Sequence, residues 1–136
     1  MNTSIDRPVT SGWRTFFLVA CLYDVILGVA FLLAGEAILE AIGMELPPHT
    51  SYIHLAAMFV LVQGFSYLVA YRDPWANQGI VMVGVAYKAS YAALVFYYMA
   101  IGELPSPFFI PWAIIDLGFM IGFLLFLREA GSRRGA

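Results

Sequence analysis

A lysine in the middle of a membrane-length apolar run constrains this chain more than any other feature. Residues 79–101 read GIVMVGVAYKASYAALVFYYMAI, and Lys88 stands almost midway. At the centre of a bilayer a charged side chain costs roughly 2.5–3.5 kcal/mol on insertion scales, so it needs a partner or a purpose. Three other apolar runs, 16–34, 52–71 and 108–127, are also long enough to span. Each carries one strongly polar residue: Asp24, Gln63 and Asp116 respectively.

Composition sets the solvent. The 136 residues are 62% hydrophobic and 12% charged, against about 25% charged in a soluble domain. Mean hydropathy is +0.82. Such a chain cannot cover itself with polar surface, and its solvent is expected to be the lipid bilayer. No run of basic residues forms the patch that a nucleic acid would need, so no nucleic-acid partner is expected. Cys21 is the single cysteine, which excludes an internal disulfide and reads as a small apolar packing residue. His49 and His54 are five apart, off the i, i+4 spacing of a helical metal pair, and no metal is expected.

The expected architecture is one all-α domain over 1–136, an integral membrane up-down-up-down four-helix bundle. The spans are expected at about 14–34, 52–71, 77–101 and 108–128, with polar tails at 1–11 and 129–136. Ser11 is a candidate N-cap, and Trp13 with Arg14 a candidate interfacial anchor, as is Trp75. The apolar core at 16–34 is too long for a signal peptide and contains Asp24, so it reads as a retained helix. The helical pattern continues past Ala34, with Glu36 and Glu40 on one face and Ile38, Leu39 and Ile42 on the other. That helix either projects beyond the membrane or bends at Gly35, and Gly43 is its natural stop. Thr50 or Ser51 caps the second helix. Asp73-Pro74 and Ser106-Pro107 each read as a cap followed by a first-turn proline.

Orientation follows from the arginines. Arg7, Arg14, Arg72, Arg128, Arg133 and Arg134 would all lie on one side, while the connections at 35–51 and 102–107 hold no Lys or Arg. The positive-inside rule puts both termini in the cytoplasm of what is expected to be a bacterial inner-membrane protein. A weak two-plus-two repeat is visible as well. Tyr23-Asp24 echoes Tyr87-Lys88, and Glu45-Leu46-Pro47 echoes Glu103-Leu104-Pro105.

Counted from the cytoplasmic ends at 1.5 Å per residue, Asp24, Gln63, Lys88 and Asp116 lie roughly 12–18 Å deep, near the middle of a core about 30 Å thick. They are expected to form one inward-facing polar layer. Ala20 and Gly28 bracket Asp24 at i−4 and i+4, and Gly84 and Ala92 bracket Lys88, which lets helices approach on that stripe. Gly118 and Gly122 offer a further small-residue face. Tyr91, three after Lys88, and Tyr67, four after Gln63, extend the hydrogen bonding. Tyr97, Tyr98, Phe108, Phe109 and Trp112 form either an interfacial belt or the mouth of a hydrophobic pocket. Two carboxylates and one ammonium leave a formal −1, so one Asp is expected to be protonated or to face a small wet cavity.

Leu27-Gly28-Val29-Ala30-Phe31-Leu32-Leu33-Ala34-Gly35, followed by Ile38 and Leu39, resembles the first helix of the DoxX-like group of small bacterial four-helix membrane proteins. Glu36 stands where that group often has a basic residue. The resemblance implies no catalytic residue. Some members are subunits of quinone-linked oxidoreductases, so it raises the prospect of a quinone-like or other lipophilic ligand. No cofactor follows from the residues themselves.

Several functions remain open on sequence. A bundle of this kind binds a lipophilic, quinone- or lipid-like ligand at the polar layer, or serves as an accessory subunit or homo-oligomer in a membrane complex. A membrane enzyme would use Asp24 or Asp116 as acid and base, with Lys88 stabilising negative charge, but no catalytic motif supports it. A proton-coupled transporter would require an oligomer. A purely structural reading stands beside these, in which the Lys–Asp pair fixes helix register.

Overall fold

A computed structural model describes residues 10–134. The secondary structure among them is helical: α1 (Ser11–Ala41), α2 (Ser51–Arg72), α3 (Gln78–Ala100) and α4 (Phe109–Arg134). All four are long and apolar enough to cross a membrane. Their outward faces hold Ile26, Leu33, Phe59, Met82 and Ile121, each more than half exposed. Among the described residues, the buried polar or charged ones are Asp24, Lys88, Ser106 and Asp116. A chain that turns isoleucine and phenylalanine outward and carboxylates inward is built for hydrocarbon.

The helix ends follow local chemistry, with some departures from expectation. α1 is helical to Ala41, but Ala34 breaks the regular dihedrals (φ −138°) and bends it one residue before Gly35. Gly35 then packs so closely on Ile53 that a Cβ would strike the Ile53 side chain. Gly43 adopts φ +72°. Its N–H bonds to Glu40 O at 3.0 Å, and Met44 N bonds to Leu39 O at 3.0 Å, the paired closure of a glycine C-cap. α3 ends the same way. Gly102 has φ +75°, and Glu103 N bonds to Tyr98 O at 2.9 Å. The echo between the two Glu-Leu-Pro connections therefore extends to how each preceding helix is closed.

Five helix-end expectations need correction. Ser106 Oγ accepts from Phe108 N at 3.2 Å in the turn before α4, which starts only at Phe109, so Ser106-Pro107 is not its cap and first turn. Thr10, not Ser11, holds the first N-cap position, without a side-chain cap bond. Thr50 holds the cap position of α2, but its hydroxyl donates to the Glu36 carboxylate instead. Asp73 Oδ1 accepts from Ala76 N at 3.1 Å, yet it caps a turn, and α3 starts at Gln78. The segment from 129, expected as a polar tail, continues α4 to Arg134. The reason is packing: Ala130 is buried, and Trp13 Nε1 donates to Glu129 Oε2 at 2.7 Å. Arg7 and Pro8 lie outside the described residues, as do the last two positions of the tail.

α1 packs most extensively on α2, and α3 on α4. Glycine makes the first seam. A Cβ on Gly28 would lie 2.9 Å from Leu61 N and 3.0 Å from Ala57 O, and one on Gly64 would lie 2.8 Å from Val25 N. These neighbours are backbone and cannot rotate aside. Gly118, by contrast, has no heavy atom that such a Cβ would meet within 4 Å, so of the expected Gly118–Gly122 face only Gly122 packs, under the Phe16 ring.

Between the two helix pairs, rings fill one end. Phe119, Phe123 and Phe126 form an i, i+4, i+7 stripe on α4 that meets Phe16 and Phe17 of α1. Phe17 and Phe123 stack at 5.8 Å, and Phe17 and Phe126 meet edge-on at 5.1 Å. Tyr67 lies 5.0 Å from Phe123, above Gly84, which lacks the Cβ that would strike its ring. Trp75 stacks on Phe126 at 4.9 Å, and Trp13 meets the same ring at 5.3 Å. The two tryptophans expected as interfacial anchors thus close an aromatic core, each ring pair adding about 0.5–1.5 kcal/mol beyond burial.

The glycine seam is directly testable. Gly28→Val and Gly64→Val should each lower stability by roughly 1–3 kcal/mol in reversible unfolding in mixed micelles, while Gly118→Ala leaves it unchanged or slightly raised. Equal effects at all three positions would rule out a close α1–α2 contact.

Candidate functional site

Asp24, Lys88 and Asp116 come from three different helices and meet. Lys88 Nζ donates to Asp24 Oδ1 at 2.6 Å and lies 3.0 Å from Asp116 Oδ1. Lys88 and Asp24 are each 1% exposed and Asp116 5%. The helices can converge because the positions flanking the charges are small: Ala20, Gly28, Gly84 and Ala92 are all buried. Lys88 is on α3, Asp24 on α1 and Asp116 on α4, so the ammonium bridges the two helix pairs.

Rings surround the ammonium. Its nitrogen sits 4.7 Å from the Tyr23 centroid, 5.3 Å from Tyr87, 5.5 Å from Phe119 and 5.9 Å from Tyr67. Aromatic faces carry negative quadrupole density and attract such a charge. The Tyr23 side chain also engages Asp116. Hydrogen bonding remains incomplete: Asp24 Oδ2 is buried with no hydrogen-bond partner, and Asp116 Oδ1 has only the ion-pair contact. An unpartnered buried carboxylate oxygen is costly and calls for an explanation.

Above the triad, away from the phenylalanine core, a partly open cavity of about 260 Å³ reaches down to Asp24, Lys88 and Asp116. α1 contributes Tyr23, Leu27 and Phe31 to its wall, and Leu39 from beyond the bend at Ala34. α2 contributes Ile53, Ala56, Ala57 and Val60. α3 gives Tyr87 and Tyr91, and Phe108, Phe109 and Trp112 come from the start of α4 and the residue before it. On the α2 wall the side chains are short, with Ala56, Ala57 and Val60 beside Ile53. No ring from α2 occupies the axis as Tyr67 does at the other end. The bend at Ala34 brings Leu39, 8% exposed, over the cavity.

The six residues expected in the polar layer are therefore divided. Asp24, Lys88 and Asp116 form the triad, and Tyr91 lines the cavity. Gln63 is not among the cavity-lining residues and does not bond to the triad. Its side chain approaches Tyr67, but without regular hydrogen-bond geometry, and Gln63 Nε2 and Tyr67 Oη both lack a partner. Tyr67 belongs to the aromatic core. Counting residues estimates depth but not angular position, so the count alone could not place Gln63 on the triad.

The expected outer aromatic group also splits. Phe108, Phe109 and Trp112 line the cavity, whereas Tyr97 and Tyr98 are exposed. Two lining residues, Tyr23 and Tyr87, stand out in the sequence only as parts of the repeat. Each immediately precedes a buried charge, so it sits about 100° around the helix from that charge, at the edge of the inward face. That adjacency was the available signal. Cys21 is buried in the core beside Phe17 and Ala20. His49 and His54 are exposed, and His49 Nδ1 accepts from Ser51 N at 3.1 Å. The chain matches no protein-family model, no curated protein and no solved structure.

Removing the ammonium should cost far more than removing one carboxylate. Lys88→Met leaves two buried acids without a counter-charge and should lower stability by about 3–5 kcal/mol in the same unfolding assay. Asp116→Asn keeps the shorter Lys88–Asp24 pair and should be much milder. An Asp116→Asn loss as large as that of Lys88→Met would show that the ion pair is not organised around Asp24.

Proposed function

We propose that this chain is a small multi-pass membrane protein that binds a lipophilic small molecule in the cavity above Asp24, Lys88 and Asp116. One observation carries the reading: apolar walls converge on a buried ionic triad with an unpartnered carboxylate oxygen, Asp24 Oδ2. Pockets for small ligands are typically mostly apolar, with a few polar groups that fix orientation. Ionisable residues within a membrane are functional hypotheses by default. The likeness of α1 to the DoxX-like group adds quinone-like rings to the ligands to be tried.

In this reading the helices alternate in direction and both termini are cytoplasmic. The support is the charge distribution. Arg14, Arg72 and Arg128 lie at the end where the tryptophans close the aromatic core, and Glu36, Glu40, Glu45 and Glu103 belong to the opposite end. A bacterial inner membrane is the setting that this asymmetry fits. A structural role is the competing reading, favoured by the way Lys88 ties the two helix pairs together. The accessory-subunit role is the form it would take.

Native mass spectrometry of protein released from mild detergent separates the two. Binding predicts a stoichiometric non-lipid adduct that is lost when Val60→Trp fills the cavity, with the variant still folded. A bare protein in one larger assembly would overturn it in favour of a subunit role. For topology, a reporter fused after Ala136 should be active on the cytoplasmic side only; activity on the outer side would reverse the orientation.

A further inference from the structure

We infer that the cavity selects a lipophilic monocation, an organic amine or quaternary ammonium carrying one ring-sized apolar group; this rests on the ligand-binding reading above. The argument begins with charge. Lys88 is shared by two carboxylates within 3.0 Å, so the triad carries a formal −1 among apolar side chains. The other described acidic residues of α1 and its following connection, Glu36, Glu40 and Glu45, are exposed at the far end of the bundle, as is Glu103. Arg14, Arg72 and Arg128 are exposed at the opposite end. Among the described residues, no cation other than Lys88 pairs with either carboxylate. In a low-dielectric interior an uncompensated charge attracts an opposite one strongly.

The second observation is the Asp24 carboxylate. It is 1% exposed, lines the cavity, and leaves Oδ2 without a hydrogen-bond partner. An ammonium N–H would satisfy that oxygen, and a quaternary head would balance its charge. An anionic head would add to the excess. A neutral head could donate a hydrogen bond but would leave the −1 in place.

The rings supply the third observation. Tyr23 and Trp112 lie 5.9 Å apart, and Trp112 and Phe108 5.8 Å apart, so a line of aromatic faces runs from the triad along the wall. Tyr87 and Tyr91 stand on the α3 side. Aromatic cages are the recurrent means of holding organic cations. This one already holds a cation, the Lys88 ammonium, over Tyr23 and Tyr87. Inorganic cations prefer several oxygen ligands instead, and the rest of the wall is hydrocarbon. Size sets the upper limit. An engineered apolar cavity of about 150 Å³ accepts benzene, so about 260 Å³ suits one substituted ring.

The test uses the full chain in phosphatidylcholine nanodiscs, titrated calorimetrically with protein-free discs subtracted. The probes are benzyltrimethylammonium and its uncharged carbon isostere, neopentylbenzene. The cation should bind at least tenfold more tightly. Asp116→Asn, which removes the excess charge, should reduce that preference below threefold. Trp112→Leu, which keeps every charge, should weaken the cation more than the isostere. If the isostere binds as tightly as the cation, a proton already neutralises the site; the cation proposal is then overturned while the lipophilic pocket stands. If neither probe binds the wild-type protein, the pocket reading falls and this proposal with it.

Discussion

One ammonium held between two carboxylates, inside four helices that turn large apolar side chains outward, governs the rest of this structure. Lys88, Asp24 and Asp116 are tolerated only because they meet, and they meet only because α1, α3 and α4 present them at one level. A hydrophobic replacement of the whole set would often be as stable or more so. The triad is therefore not the least costly way to hold four helices together. What it adds is specification: an arrangement that parts Lys88 from Asp24 leaves a bare charge in an apolar medium, and the penalty excludes that arrangement.

Around this level the bundle is divided. On one side aromatic rings span the gap between the helix pairs, with Phe123 and Phe126 completely buried. On the other side α2 lines the gap with Ile53, Ala56, Ala57 and Val60 and brings no ring to the axis, and the gap stays open as the cavity. The α1–α2 seam is fixed by backbone contact at Gly28 and Gly64, so the wall behind the cavity is stiff. The bend at Ala34 then turns the end of α1 inward, where Leu39 covers the space and Glu36 holds Thr50. A bundle of four short-looped helices can thus be closed at one end and hollow at the other without any change of architecture.

The sequence made the helices and the charges legible because both rest on strong, local signals. Four apolar runs are hard to misread, and a lysine in one of them requires counter-charges that only Asp24 and Asp116 could provide. The positive-φ stop at Gly43 followed from glycine chemistry alone. What was not legible was angular. Gln63 sits beside Tyr67 and not on the triad, because residue counting leaves rotation about the helix free. The Phe119, Phe123 and Phe126 stripe was present as an i, i+4, i+7 pattern, but on helices apolar on every side such a pattern does not stand out from the lipid-facing residues. The continuation of α4 past Arg128 depended on a tertiary bond, Trp13 to Glu129, that polar composition could not reveal. The cavity itself is assembled from residues of all four helices and has no signature in any one of them.

The uneven filling of the bundle has a mechanical consequence. Compression favours states with less internal void, and unfolding volumes scale with the void lost. An open space of about 260 Å³ lies on the Leu39 and Val60 side, while on the ring-packed side Phe17, Phe123 and Phe126 are completely buried. Hydrostatic pressure would thus act on the two halves of the same helices unequally, collapsing or wetting the hollow half first. The Lys88 level would be the boundary at which that response stops.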